Sequence, residues 1–144
     1  MRNLARWASL FVVLSFLSFA TYAREAEPII DHIDVPVVVS GTKPVSADRI
    51  REAIVTAATW NRTSMWDVTK NPTQDLLSAT LTVRNKHAVT VLIPYSTEKF
   101  SIKYQNSVNM KYGMSETGVP VIHPFYNKWV QSLLLSIQAE LKKL

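Results

Sequence analysis

Histidine is the one side chain that changes charge near neutral pH, so the three histidines of this 144-residue chain are the first places to look for acid–base or metal chemistry. His32 lies in Asp31-His32-Ile33-Asp34, where metal-ligand types stand close together but without a second cluster elsewhere. His87 falls in a predicted turn. His123 opens the last helical stretch beside Tyr126 and Asn127, and it alone is placed to act as a general base, provided an Asp or Glu is nearby. The competing role for His123 is to cap that helix or pack beside Tyr104 and Tyr112. Serine nucleophiles lack a Gly-x-Ser-x-Gly elbow, and three glycines in the whole chain leave no phosphate-cradling loop. Carboxylates such as Asp67, Asp75, Glu98 and Glu116 are scattered, with no pairing of the kind glycoside hydrolysis needs. The absence of cysteine removes disulfides, thiol catalysis and zinc-thiolate sites together. No catalytic residue, metal ligand or cofactor is therefore assigned.

Binding is the better-supported chemistry. Tyr95, Tyr104, Tyr112 and Tyr126, with Asn109, His123, Asn127 and Trp129, are expected to collect near one end of a sheet and the start of the last helix. Amphipathic rings in such a place can line a shallow ligand or peptide groove. The same rings also serve as the rim of a core too small to be purely aliphatic.

The elements that would position them follow from periodicity. Residues 24–34 read as irregular, and Val35-Pro36-Val37-Val38-Val39 as a first strand, with Pro36 near its start where a missing N–H is tolerated. Ser46 is a good N-cap, Asp48 suits the first turn, and Val45 can pack on Ile50 as a hydrophobic staple. Ile50, Ala53, Ile54 and Ala57 follow helical spacing over 47 to about 60, with Trp60 closing the apolar face. From Met65 the period becomes two. Trp66 and Val68 mark a short strand, Leu77, Ala79, Leu81 and Val83 a second, Val89, Val91, Ile93 and Tyr95 a third, and Phe100, Ile102 and Tyr104 a fourth.

Residues paired across an antiparallel ladder share a face, which constrains the turns. Pairing Val83 with Val89 and Leu81 with Val91 requires Asn85-Lys86-His87 as a three-residue loop, while Tyr95 pairs with Phe100 across Ser96 to Lys99. The last strand extends through Val108, Met110 and Tyr112 toward the glycines at 113 and 118. Pro124 then suits a helix start, and Tyr126, Trp129, Val130, Leu133, Leu134, Ile137 and Leu141 form a continuous stripe. The predicted fold is a two-layer α+β domain over 35–144, in the order β-α-β-β-β-β-α. An antiparallel meander of four or five strands carries both helices on one face and leaves a Thr/Ser/Lys face to solvent.

Ahead of the domain, Arg2 and Arg6 precede an uncharged run from Trp7 to Phe19, and Thr21-Tyr22-Ala23 presents small residues at a cleavage position. That run of about 13 residues is well short of the roughly 20 needed to span a bilayer, so 1–23 reads as a signal peptide cleaved after Ala23, with no later membrane segment. The remainder holds 14 basic and 11 acidic residues, a mild excess without a basic cluster, and a nucleic-acid surface is not expected.

Ile93-Pro94-Tyr95-Ser96, Phe100-Ser101-Ile102-Lys103-Tyr104, Ser107-Val108-Asn109-Met110-Lys111-Tyr112 and His123-Pro124-Phe125-Tyr126-Asn127-Lys128-Trp129-Val130 resemble strings in a family of small Gram-negative envelope proteins, several of them lipoproteins. The resemblance runs over most of the mature chain and implies a cell-envelope location but no particular activity. The acylated cysteine of the lipoprotein members is missing here, which favours a soluble periplasmic or secreted form. The expectation is a non-catalytic binding or accessory domain for an envelope protein or cell-wall component, with a small periplasmic hydrolase using His123 as the alternative.

Overall fold

The structure, a computed structural model, describes residues 25–61 and 64–144. The signal peptide read at 1–23 lies outside the described residues. No helix among them is long and apolar enough to cross a membrane.

Eight strands and two helices form an α+β fold: β1 (Glu27–Pro28), β2 (His32–Pro36), α1 (Ala47–Thr59), β3 (Asp67–Lys70), β4 (Leu76–Val83), β5 (His87–Pro94), β6 (Lys99–Val108), β7 (Gly113–Met114), β8 (Pro120–Ile122) and α2 (Phe125–Leu141). The main sheet has the order β2-β6-β5-β4-β3 and every pairing in it is antiparallel. The predicted meander is present, with β2 added along its β6 edge.

Local sequence explains both helices. Ser46 Oγ accepts the Arg49 N–H at 3.3 Å, meeting one of the donors that a helix start leaves unpaired, and Asp48 sits in the first turn. Ile50, Ala53, Ile54, Ala57 and Ala58 fill the buried face of α1. In α2 the buried stripe is Tyr126, Val130, Leu133, Leu134, Ile137 and Leu141, as the spacing predicts, with Trp129 half-buried at its margin. Both helices cover the sheet face built by Leu77, Ala79, Leu81, Val89, Val91, Ile93, Phe100 and Ile102.

Trp60 does not close the α1 face: its ring is 81% exposed, because the backbone leaves helical values at that residue (φ −107°, ψ 21°). Trp66 supplies the buried indole instead, and its backbone N–H donates to the Ala58 carbonyl at 3.0 Å.

The first hairpin keeps the predicted faces but slides by two positions, pairing Leu81 with Val89, Ala79 with Val91 and Val83 with His87. Its loop is Arg84-Asn85-Lys86, closed by the Lys86 N–H to the Val83 carbonyl at 3.2 Å, with Arg84 and Asn85 both left-handed (φ 53° and 52°). Two consecutive positive φ values match the right-handed twist of the strands, and centring the loop on Asn85 uses a residue that tolerates the left-handed region. Tyr95 meets Phe100 across the second loop as predicted.

The extension of β6 through Val108, Met110 and Tyr112 is overturned by a bulge. Val91 pairs with Tyr104 but Thr90 with Asn106, which leaves Gln105 as an extra residue and turns the rest of the strand over. Ser107 therefore stands opposite Val89, Val108 is 51% exposed, and the strand ends there.

Residues 24–34 are not simply irregular, and the first strand is His32–Pro36 rather than Val35–Val39. It pairs His32 with Ile102 and Val35 with Phe100 around its own bulge, where Asp34 takes φ 52°. β1 joins β8, and β8 joins β7, in a second sheet of three short strands. Strands of two or three residues carry too little alternation to read from sequence.

His32 generates a pH effect. Burial lowers its pKa from the ordinary 6.5, opposed by the nearby Asp31 carboxylate. Below that value the unfolded chain takes up a proton that the folded ring resists, so this contribution to stability is full above about 6.5 and is lost as pH falls. Urea unfolding between pH 8 and pH 5 is expected to show a midpoint that declines more steeply in the wild type than in His32→Gln; parallel profiles would refute the assignment.

Candidate functional site

The tyrosines come together in part. Tyr104, in the middle of β6, stacks on Tyr112 with centroids 5.0 Å apart and planes 6° from parallel, and meets Tyr126 edge-on at 5.6 Å. Its hydroxyl is 2.9 Å from Ser107 Oγ, so the bulge that turns β6 over also supplies the partner for this ring. Tyr126 is fully buried, and its hydroxyl has no hydrogen-bond partner among the described residues. Burial raises its pKa strongly, with the Asp31 charge and Tyr104 adding to the effect. Tyr95 sits elsewhere, where burial and then the Asp75 charge raise its pKa and the Arg51 guanidinium opposes them. Tyr95 and Tyr126 belong to the buried core, Tyr104 packs against it, and Tyr112 is half exposed.

The asparagines act as struts. Asn127 Nδ2 donates to Glu27 Oε1 at 2.8 Å and to the Pro28 carbonyl at 2.9 Å, while its Oδ1 accepts the Ile30 N–H at 3.1 Å. One side chain on α2 thus holds the β1 segment about a hundred residues away in sequence. Asn109, left-handed at φ 55°, donates from Nδ2 to the Lys86 carbonyl, and its own carbonyl lies 2.9 Å from His87 Nδ1. A carbonyl only accepts, so Nδ1 of His87 carries the proton and Nε2 holds the lone pair of the neutral ring.

The Asp-His-Ile-Asp segment is likewise committed to folding. Asp31 Oδ1 accepts the Tyr104 N–H at 2.8 Å, the Asp34 N–H donates to Ser101 Oγ at 2.9 Å, and the Asp34 carboxylate pairs with Lys99 Nζ at 2.9 Å. Among the described residues no three His, Cys, Asp or Glu side chains are grouped to hold a metal.

A cleft of about 430 Å³ lies where the β4–β5 turn, the segment after β6 and the first turns of α2 meet. Val83, Arg84, His87, Met110, His123, Phe125, Lys128 and Trp129 line it. Through Val83, Arg84 and Trp129 it continues into a second depression of about 460 Å³ beside Asn61, Ser64 and Met65. Of the predicted rim residues, His123 and Trp129 line the cleft; Asn109 braces it from behind through His87. The His123 Nδ1 accepts the Phe125 N–H at 3.1 Å, a local cap that fixes the ring against Phe125 at 4.9 Å. Phe125 lies 5.8 Å from Trp129, four residues on along α2, and Lys128 Nζ sits 5.8 Å over the Phe125 ring.

The lining combines two imidazoles, two cations and an aromatic row, and no carboxylate. It can stack a ring and receive negative charge. It offers His123 no orienting Asp or Glu, and the one acceptor nitrogen of that ring is already engaged by Phe125. Arg84, Met110, Phe125 and Lys128 were not singled out by sequence reasoning. The i,i+4 spacing of Phe125 and Trp129 beside His123 was the available signal; the approach of Arg84 depends on tertiary structure.

Compared with protein families, with curated proteins and with solved structures, the chain matches none.

Asn127→Ala is expected to cost about 1–3 kcal/mol by stranding the partners of its bonds and to remove the hydrogen-exchange protection of the Ile30 amide. Tyr126→Phe is expected to shift stability by less than about 1 kcal/mol at neutral pH, because no bond is lost. It should also lessen alkaline unfolding: the buried hydroxyl resists ionisation, so its stabilising contribution is lost as pH rises past the ordinary 10.0. Identical alkaline profiles for wild type and variant would contradict this.

Proposed function

We propose that this is an exported cell-envelope protein, periplasmic or secreted, in which the domain acts as a non-catalytic binding or accessory module whose ligand site is the cleft between the β4–β5 turn and α2. The leading arginines, the short apolar run and the small residues ending at Ala23 support export with cleavage after Ala23 and without lipidation. The observation that carries the binding reading is the composition of the cleft: Phe125 and Trp129 beside Arg84 and Lys128, with no acidic residue in the lining. Pockets of this kind, apolar walls with a few convergent polar groups, are the usual form of ligand sites. The hydrolase alternative has the open position of His123 in its favour but gains no carboxylate partner there.

Two measurements test this. The mass of the protein recovered from the cell envelope should correspond to a chain beginning at Arg24. A photo-crosslinking residue placed at Arg84 or Lys128 should give a discrete adduct in intact cells, and the same residue at Lys103, on the open sheet face, should not. Equal labelling from Lys103, or none from either cleft position, would remove the cleft as the binding site.

A further inference from the structure

The chemistry of the cleft specifies more than an unspecified ligand. Arg84 and Lys128 stand on two sides of the same space, one on the β4–β5 turn and the other on α2. Among the described residues neither is engaged in an ion pair. Arg84 is carried on a left-handed backbone (φ 53°) that only a turn with positive φ at two successive residues provides, and the Asn109 side chain fastens the far side of that turn through the Lys86 carbonyl. The cation is thus presented by a braced loop. Between the cations runs the row His123, Phe125, Trp129, with Val83 and Met110 completing the apolar floor.

The hydrogen-bonding groups narrow the class further. His87 presents Nε2 as an acceptor, because its Nδ1 is tied to the Asn109 carbonyl, whereas Arg84 and Lys128 only donate. Hydroxyl groups, which donate and accept at once, suit such a mixed lining. An aromatic row suits the C–H faces of a sugar ring, and a guanidinium paired with an ammonium suits a carboxylate. A volume of about 430 Å³ is within the range of small-ligand pockets, roughly 300–1,000 Å³.

Resting on the binding reading above, we propose that the ligand is a carboxylated saccharide: a pyranose ring stacked on Trp129 with its edge toward Phe125, its carboxylate held between Arg84 and Lys128, and a hydroxyl donating to His87 Nε2. Association is reversible, and no bond of the sugar is broken.

The test is a titration of the purified protein followed by amide and indole NMR shifts. The probes are N-acetylmuramic acid and glucuronic acid, each paired with its neutral counterpart, N-acetylglucosamine and glucose. At least one acidic probe should bind saturably, perturb the Trp129 indole and the residues around His87, and bind at least tenfold more tightly than its neutral counterpart. Which acid binds separates a cell-wall sugar from a uronate. Affinity should fall with added salt, and Arg84→Gln combined with Lys128→Gln should weaken it at least tenfold while the rest of the spectrum is unchanged. If that double variant fails to fold, the salt dependence of the wild type decides. Equal binding of neutral sugars, salt-independent binding, or shifts confined to other surfaces would overturn the proposal. Failure of every sugar while the cleft crosslinks a partner in cells would overturn the saccharide and leave the binding module standing; failure of both would remove the two together.

Discussion

One apolar face carries this fold. The inward side chains of β4, β5 and β6 are buried against α1 and α2, and with no cysteine in the chain no covalent tie shares the work. Fully burying a large apolar side chain contributes about 1.5–3 kcal/mol, so residues such as Ile50, Leu77, Ile93, Phe100, Leu133 and Ile137, all essentially inaccessible, hold the two layers together. The period-two alternation of the strands and the 3.6-residue stripe of each helix are the same constraint seen from either side of that interface. Where the constraint relaxes, at the strand ends and along β1 and β2, side-chain hydrogen bonds take over.

The bulge at Gln105 marks that change of regime. Up to Tyr104, β6 belongs to the core sheet; beyond it the strand is turned over, Ser107 faces inward and the chain soon leaves the sheet. Three consequences share this cause. Tyr104 gains a hydroxyl partner in Ser107, Asn109 enters the left-handed region and reaches the β4–β5 turn, and Met110 comes back into the core as one wall of the cleft. His87, Arg84 and Trp129 line the same cleft as Met110.

This also explains what could be read from the chain and what could not. α1 and α2 and the alternating strands are local patterns, and Ser46 at the start of α1 is a local cap, so all were legible. Register was legible only modulo two: alternation forbids a slip of one residue but is silent about a slip of two, and the left-handed tolerance of Asn85 decided between Val83–Val89 and Leu81–Val89. β1 and β2 were beyond reach because Asn127, Asp31 and Ser101 hold them through contacts some seventy to a hundred residues apart in sequence. For the same reason the bonds of Asn109 and Asn127 to distant backbone were not legible, and Arg84 and Lys128 read as ordinary surface cations.

The open face of the sheet is the natural rival for a binding surface, being polar and uncovered, with a depression of about 350 Å³ beside Thr69, Ser78, Leu92 and Gln105. Some of its polar groups, however, satisfy one another: Thr80 and Thr90 hydroxyls are 2.9 Å apart across the β4–β5 pair, and Ser78 Oγ lies 3.4 Å from Gln105 Oε1. A ligand there would have to replace bonds already made, for a net gain near zero per exchange. In the cleft two cations stand beside exposed aromatic surface without a paired carboxylate, so an anionic ligand adds interactions instead of exchanging them. That asymmetry favours the proposed cleft, at the turned-over end of β6 and the first turns of α2, over the open sheet face.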